Sequence, residues 1–213
     1  MTESITQKER QIFQDIAETG ILESLKALSK LYKKDWSAFT QKFCFMTIEE
    51  ARRVFPEKEH AWFGGDLYLE GDIAMSLLYI FPQESALHLT HFMTNQEETG
   101  IAPLTSRKTM AISEVSSILA NTFLNVLANT LGVFLLPAPP KVAVDSRGAL
   151  LEGAISRAGL KADYVITSEL RLESDNLTMA GIFCLVLNTE SLKQFVARIH
   201  ASPAWTTQRW RAI

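Results

Sequence analysis

From Ile112 to Gly132 the chain reads ISEVSSILANTFLNVLANTLG. At 100° per residue, Ile112, Val115, Leu119, Phe123 and Val126 fall on one side of a helix. Glu114, Ser117, Asn121 and Asn125 fall on the opposite side, within about one quadrant. A second helical pattern, QIFQDIAETGILESLKALSKLY, starts at Gln11. Short apolar runs predict strands: FTQKFCFMTI from Phe39 and PKVAVDS from Pro140. Two longer segments resemble each other, EGDIAMSLLYIFPQESALHLTHFM from Glu70 and DNLTMAGIFCLVLNTESLKQFVARI from Asp175. Each runs from a polar turn through an apolar strand and a short break to Glu-Ser at the start of an amphipathic helix. Glu84 and Glu190 fall in those first turns, where a negative charge meets the positive end of the helix dipole.

The order helix, strand, loop, strands, helix therefore occurs twice. It predicts one α+β domain over residues 1–213, built of two repeats at about 1–99 and 100–213. A mainly antiparallel sheet should be covered by long helices, with a pseudo-twofold axis relating the Asp15 and Glu114 helices on one face. The stretch TNQEETGIAPLTSRK, Thr94 to Lys108, carries the Gly, Pro and Ser/Thr of a connection. Gly64-Gly65 reads as a turn.

Composition narrows the function. The 213 residues are 47% hydrophobic, enough for a sizeable core. The net charge is -3 and the basic residues are scattered, so no clustered face for nucleic acid is expected. Cys44 and Cys184 each lie in a strand-like apolar run without a CxxC, which predicts buried, reduced thiols in a cytoplasmic protein. The start, MTESITQKERQ, has no apolar core of a signal peptide, and no uninterrupted apolar run reaches the roughly 18 residues of a membrane span. His88 and His91 sit three apart on a predicted helix, but no third ligand accompanies them, and one helix bearing Asp15 and Glu18 offers a cation too few oxygens. Neither metal nor cofactor is expected. No phosphate loop or nucleophile elbow occurs. The tail HASPAWTTQRWRAI gathers Trp205, Arg209, Trp210 and Arg211, and reads as a segment folded back on the body or an added partner contact.

The polar stripe on the Ile112 helix has neutral amides where solvated helices usually carry Lys/Glu ladders. It is either the wet side of a helix or a working surface. Here the sequence resembles the CheC/CheX/FliY group of chemotaxis proteins, whose fold also occurs in the flagellar switch. The resemblance spans nearly the whole chain and rests on ISEVSSILANTFLNVLANTLG, LLPAPPKVAVD, GDIAMSLLYIFPQESAL and MAGIFCLVLNTESL. Length and duplicated order suit the CheC branch and a monomer, since the CheX branch is shorter and typically dimeric.

That resemblance implies dephosphorylation of a CheY-type response regulator. The family's motif is an acidic or hydroxyl residue, three residues, Glu, two residues, Asn, then twenty-two residues and Pro. Its Glu pairs with the regulator's active-site Lys, and its Asn orients the water that attacks the aspartyl phosphate. Positioning does most of the work, because phosphoryl transfer asks little covalent chemistry of the protein. Here the second-half pattern falls on Met110, Glu114, Ser117 and Pro140. Glu114 and Pro140 match, whereas Ser117 stands where the amide belongs. In the first half the frame falls on Gln11, Asp15, Glu18 and Gln41. Asp15 shortens the reach and Glu18 adds a charge that would face the phosphoryl group, so this site reads as degenerate. One turn past the Asn position the family often has Gly. Leu22 and Asn121 occupy those places here: Leu22 should obstruct docking, and Asn121 offers an amide about 6 Å farther along the axis.

Two functions follow: a weakened aspartyl phosphatase with Glu114, Ser117, Asn121 and Pro140 as its motif residues, or a non-catalytic module binding a regulator or a CheD-like deamidase. A third is an orphan copy of the fold outside chemotaxis.

Overall fold

A computed structural model describes residues 6–32, 37–57, 60–94, 104–157, 161–174 and 177–201. Residues 95–103 of the connection expected from Thr94 to Lys108, and residues 202–213 of the Trp/Arg tail expected from His200, lie outside the described residues, while Ser106–Lys108 already belong to a helix.

The two long apolar stripes form α1 (Gln7–Tyr32) and α4 (Ser106–Leu131). Helix α4 starts earlier than its stripe suggests because Thr105 caps it, the hydroxyl accepting from the Lys108 N–H at 3.2 Å. It stops at Gly132, whose left-handed backbone (φ 64°) lets its N–H close on Ala128 O at 2.8 Å. Helix α4 is long and apolar enough, by length and composition, to cross a membrane, yet half of that stretch is buried inside the fold. Its apolar side is spent on the core.

The strands are β1 (Ser37–Thr47), β2 (Trp62–Gly71), β3 (Met75–Pro82), β4 (Leu135–Pro137), β5 (Lys141–Asp145), β6 (Tyr164–Ser174) and β7 (Leu177–Leu187). They form one antiparallel sheet in the order β1-β6-β7-β3-β2-β4, with β5 also on β2. The order reads alike outward from both sides of the central β3–β7 pair: β2 then β4 and β5 on one side, β6 then β1 on the other.

Alternate residues of the central strands feed two cores. Leu77, Tyr79 and Phe81 of β3, with Phe183 and Leu185 of β7, pack under α1 and α4. The same core takes Leu89 of α3 (Gln83–Thr94) and Phe195 of α6 (Thr189–Ala201). Leu78, Ile80, Cys184 and Val186 face the other way, against α2 (Ile48–Val54) and α5 (Arg147–Arg157). Being covered on both faces explains why β3 and β7 read as near-continuous apolar runs.

Helices α2 and α5 fall where the sequence reading had a loop. Helix α2 has a capping box, Thr47 and Glu50 bonding reciprocally, and that Thr-x-x-Glu spacing was its sequence signal. Arg52 forks onto Glu152 at 2.6 and 3.1 Å, joining α2 to α5.

Two further expectations are corrected. Gly64 and Gly65 lie inside β2, where a Cβ on Gly64 would come within 2.8 Å of Leu150 and one on Gly65 would run into the Ser116 side chain. They are glycines because helices approach the strand from both faces. Cys44 is exposed rather than buried, whereas Cys184 is buried, and both are free thiols. Strand β1 lies at the sheet edge, and its register shifts between Gln41 and Cys44, with Lys42 at φ 51°. The apolar run on which burial was expected lies on an edge strand, and this irregularity leaves the Cys44 side chain in solvent.

Candidate functional site

Helices α1 and α4 pack antiparallel on the same face of the sheet. Gly20 abuts the Phe123 ring, where a Cβ would stand at 2.7 Å. One turn on, the Ser24 hydroxyl reaches Leu119 O at 2.8 Å and Gly20 O at 2.7 Å. In the frame that aligns Gln11 with Met110, residues 20 and 24 correspond to 119 and 123, so these two contacts exchange with each other. An approximate twofold axis through the helix crossing does this, and it places Asp15 and Glu114 toward opposite ends of the helix pair.

The stripe predicted on α4 faces outward. Met110 (58% exposed), Glu114, Asn121 and Asn125 are exposed and Ser117 is half-buried, while Ile112, Val115, Leu119 and Phe123 are buried. Among the described residues, Glu114, Ser117 and Asn121 make no side-chain hydrogen bond or ion pair. Val126, expected on the core side, is half-buried.

What fixes this helix lies beneath it. Ser116, adjacent to Ser117, is fully buried and seats its side chain on Gly65. Gly65 pairs with Val142 of β5, and Asp66 with Lys141. Pro140 therefore stands at the head of the strand next to the floor under Ser116, and Ala138 N–H ties the same segment to Tyr68 O at 2.8 Å. The Glu114 turn and the Pro140 segment are thus held through β2. The Gly65–Ser116 seat was missed in the sequence, although two glycines within an apolar run carry its signal.

The α1 surface differs. Gln11 is exposed, and Asp15, Glu18 and Leu22 are half-buried. Gln11 Nε2 donates to Asp15 Oδ1 at 2.9 Å and Gln14 Nε2 to Glu18 Oε1 at 2.7 Å. Both carboxylates of the first frame are engaged within their own helix, and Leu22 lies one turn beyond Glu18. On α3, His88 is half-buried and His91 exposed; among the described residues no group of three His, Cys, Asp or Glu is arranged to hold a metal.

Chemically, α4 offers one free carboxylate, a hydroxyl one turn on, and an amide a turn beyond that, on a helix anchored at both ends. Such a surface can pair with a cation and hold a polar group or a water. It carries neither a nucleophile–base pair nor a set of metal ligands.

No family model matches the chain. Solved structures share its fold. FliY of Thermotoga maritima superposes with a TM-score of 0.74 at 13% identity, over 92% of this chain and 98% of that one. FliM from an H. pylori FliM–SpeE complex gives 0.64 at 9%, over 93% and 98%. A CheC-like superfamily protein from a Shewanella species gives 0.53 at 12%, over 80% and 97%. The chain has the CheC-like α+β fold shared by chemotaxis and flagellar-switch proteins, as the sequence resemblance implied.

Proposed function

We propose that this chain is a CheC-like chemotaxis protein that docks a phosphorylated CheY-type response regulator on α4 and hydrolyses its aspartyl phosphate weakly. The carrying observation is Glu114, exposed and unpartnered on a helix that β2 holds in place, with Ser117 one turn on. Glu114 pairs with the regulator's active-site Lys. Ser117, or Asn121 from the next turn, bonds the water. That water attacks phosphorus, the bond from phosphorus to the Asp oxygen breaks, and the regulator's carboxylate leaves as inorganic phosphate is released. A serine hydroxyl is shorter than the Asn amide and rotates freely, so it holds the water less firmly and the rate is low. Asp15 and Glu18 take no part.

The same reading makes residues 1–213 one domain of two repeats, at about 1–99 and 100–213, supported by the strand order and the exchanging Gly20 and Ser24 contacts. It makes the protein cytoplasmic and monomeric, without cofactor or metal.

A second reading, a non-catalytic module for a regulator or a CheD-like deamidase, is favoured by Ser117 in the amide's place. FliM of this fold has been solved in complexes with SpeE and with FliG, which supports protein binding as a use of the scaffold. Mixing the purified protein with phosphorylated CheY-type regulators of its own organism and following phosphate release separates the two. Release above the regulator's own rate, abolished by Glu114→Ala, supports the phosphatase. Binding without release supports the module.

A further inference from the structure

The outer face of α4 is longer than a Glu-x-x-Ser site requires. From Thr109 to Leu131, Glu114 is the one charged residue. Below it Asn121, Asn125 and Asn129 stand at intervals of one turn, all exposed. Among the described residues none of the three makes a side-chain hydrogen bond or ion pair.

A helix gains nothing from such a row in water. Asn is a weak helix former, because its short amide competes for the backbone, and it is favoured at caps rather than in interiors. The caps of α4 are Thr105 and Gly132, so the row serves neither end. Helix α1 shows the ordinary solution for a wet face, with Gln11–Asp15, Gln14–Glu18 and Glu23–Lys26 bonded along the helix. Residues that cost local stability without local return mark a surface kept for something else. At the other end of the row, Met110 is an exposed apolar side chain one turn before Glu114.

We propose that the regulator-docking surface runs the whole length of α4, from Met110 to Asn129, a strip about 28 Å long. This rests on the docking reading above and extends it. Met110 is the apolar anchor, Glu114 the single ionic contact, and the three Asn amides bond backbone or amide groups of the partner. Charge complementarity fixes the partner's chemistry: a protein face with one cation in neutral surroundings. A helix-wide strip of this length covers about 300 Å² on each side, about 600 Å² in total, the low end of the range of weak, transient contacts.

The test uses the full chain and CheY-type receivers of its own organism, loaded with beryllofluoride as the phosphoryl mimic. Combining Asn121→Ala, Asn125→Ala and Asn129→Ala should raise the thermal midpoint by about 4–8 °C while weakening receiver binding at least fivefold by calorimetry. Met110→Ser should weaken binding several-fold. Glu114→Ala is the separate arm that tests docking itself. If Glu114→Ala abolishes binding and the triple variant binds like wild type, the extended surface is overturned and the docking reading stands. If wild type binds no receiver, both fall. If the triple variant is no more stable than wild type, the Asn row has a structural purpose and the extended surface is overturned.

Discussion

Replacing Gly65 with Ala tests the seat on which the Glu114 helix rests. The added Cβ would run into Ser116 Oγ and lie 2.8 Å from Ser116 Cβ, with Ile112 Cγ2 at 3.6 Å. Rotating the Ser116 hydroxyl relieves the first contact but not the second, since a Cβ moves only with its helix. Helix and strand must part by several tenths of an ångström across a packed core. Overpacking of this kind costs about 1–3 kcal/mol, and the upper end is expected where the obstruction is not a flexible side-chain end. With a urea m-value of about 2 kcal/mol/M, the unfolding midpoint should fall by about 1.5 M. Ser116→Gly alone should cost about 1 kcal/mol as a glycine within a helix. In the Gly65→Ala background it removes both offending atoms, so the double variant should be more stable than the sum of the singles predicts, by about 2 kcal/mol. Urea unfolding followed by circular dichroism on all four proteins reads the cycle. A Gly65→Ala midpoint indistinguishable from wild type, or a strictly additive cycle, would show that α4 does not bear on Gly65.

Four shorter predictions accompany it. Ser117→Asn should raise phosphate release about tenfold or more by restoring the amide, and Glu114→Ala in that background should remove the gain; an unchanged rate in a protein that still binds the regulator discards the phosphatase. Ser24→Ala removes the hydroxyl between α1 and α4 and should cost about 1 kcal/mol in urea unfolding; no loss would mean that the Ser24–Leu119 bond adds nothing. In native thiol titration Cys44 should react quickly, whereas Cys184, whose thiol burial pushes up, should react only on unfolding; two fast equivalents would contradict the burial of Cys184. Burial pushes the Glu9 carboxyl up, but the Thr6 hydroxyl and N–H, with His200, outweigh it and hold it below the usual range. Its stabilisation should be full above about pH 4.3 and be lost as pH falls through the lower folded value; Thr6→Ala should shrink that acid-side loss, and an identical pH dependence would refute the assignment.

The sequence alone determined the long-range periodicities and whatever depends on them. Both long helices, the apolar central strands and the helices opening at Glu84 and Glu190 announce themselves because burial repeats along the chain. The outward stripe of Glu114, Ser117 and Asn121 was legible for the same reason. Helix α5 was not, being short and amphipathic only against a sheet face whose existence a local pattern does not state, and α2 left only the Thr47–Glu50 cap spacing as its mark. Cys44 escaped because an apolar run does not say that its strand lies at the sheet edge, nor that the register shifts there between Gln41 and Cys44. Gly64-Gly65 was misread because a glycine pair signals equally a turn and a close approach, and only the partners distinguish them. Tertiary structure decided that Leu150 comes down on Gly64 and Ser116 on Gly65, far apart in sequence. Two glycines without side chains let helices pack on both faces of β2, and α4 holds the Glu114 turn steady because β2 can accept it that closely.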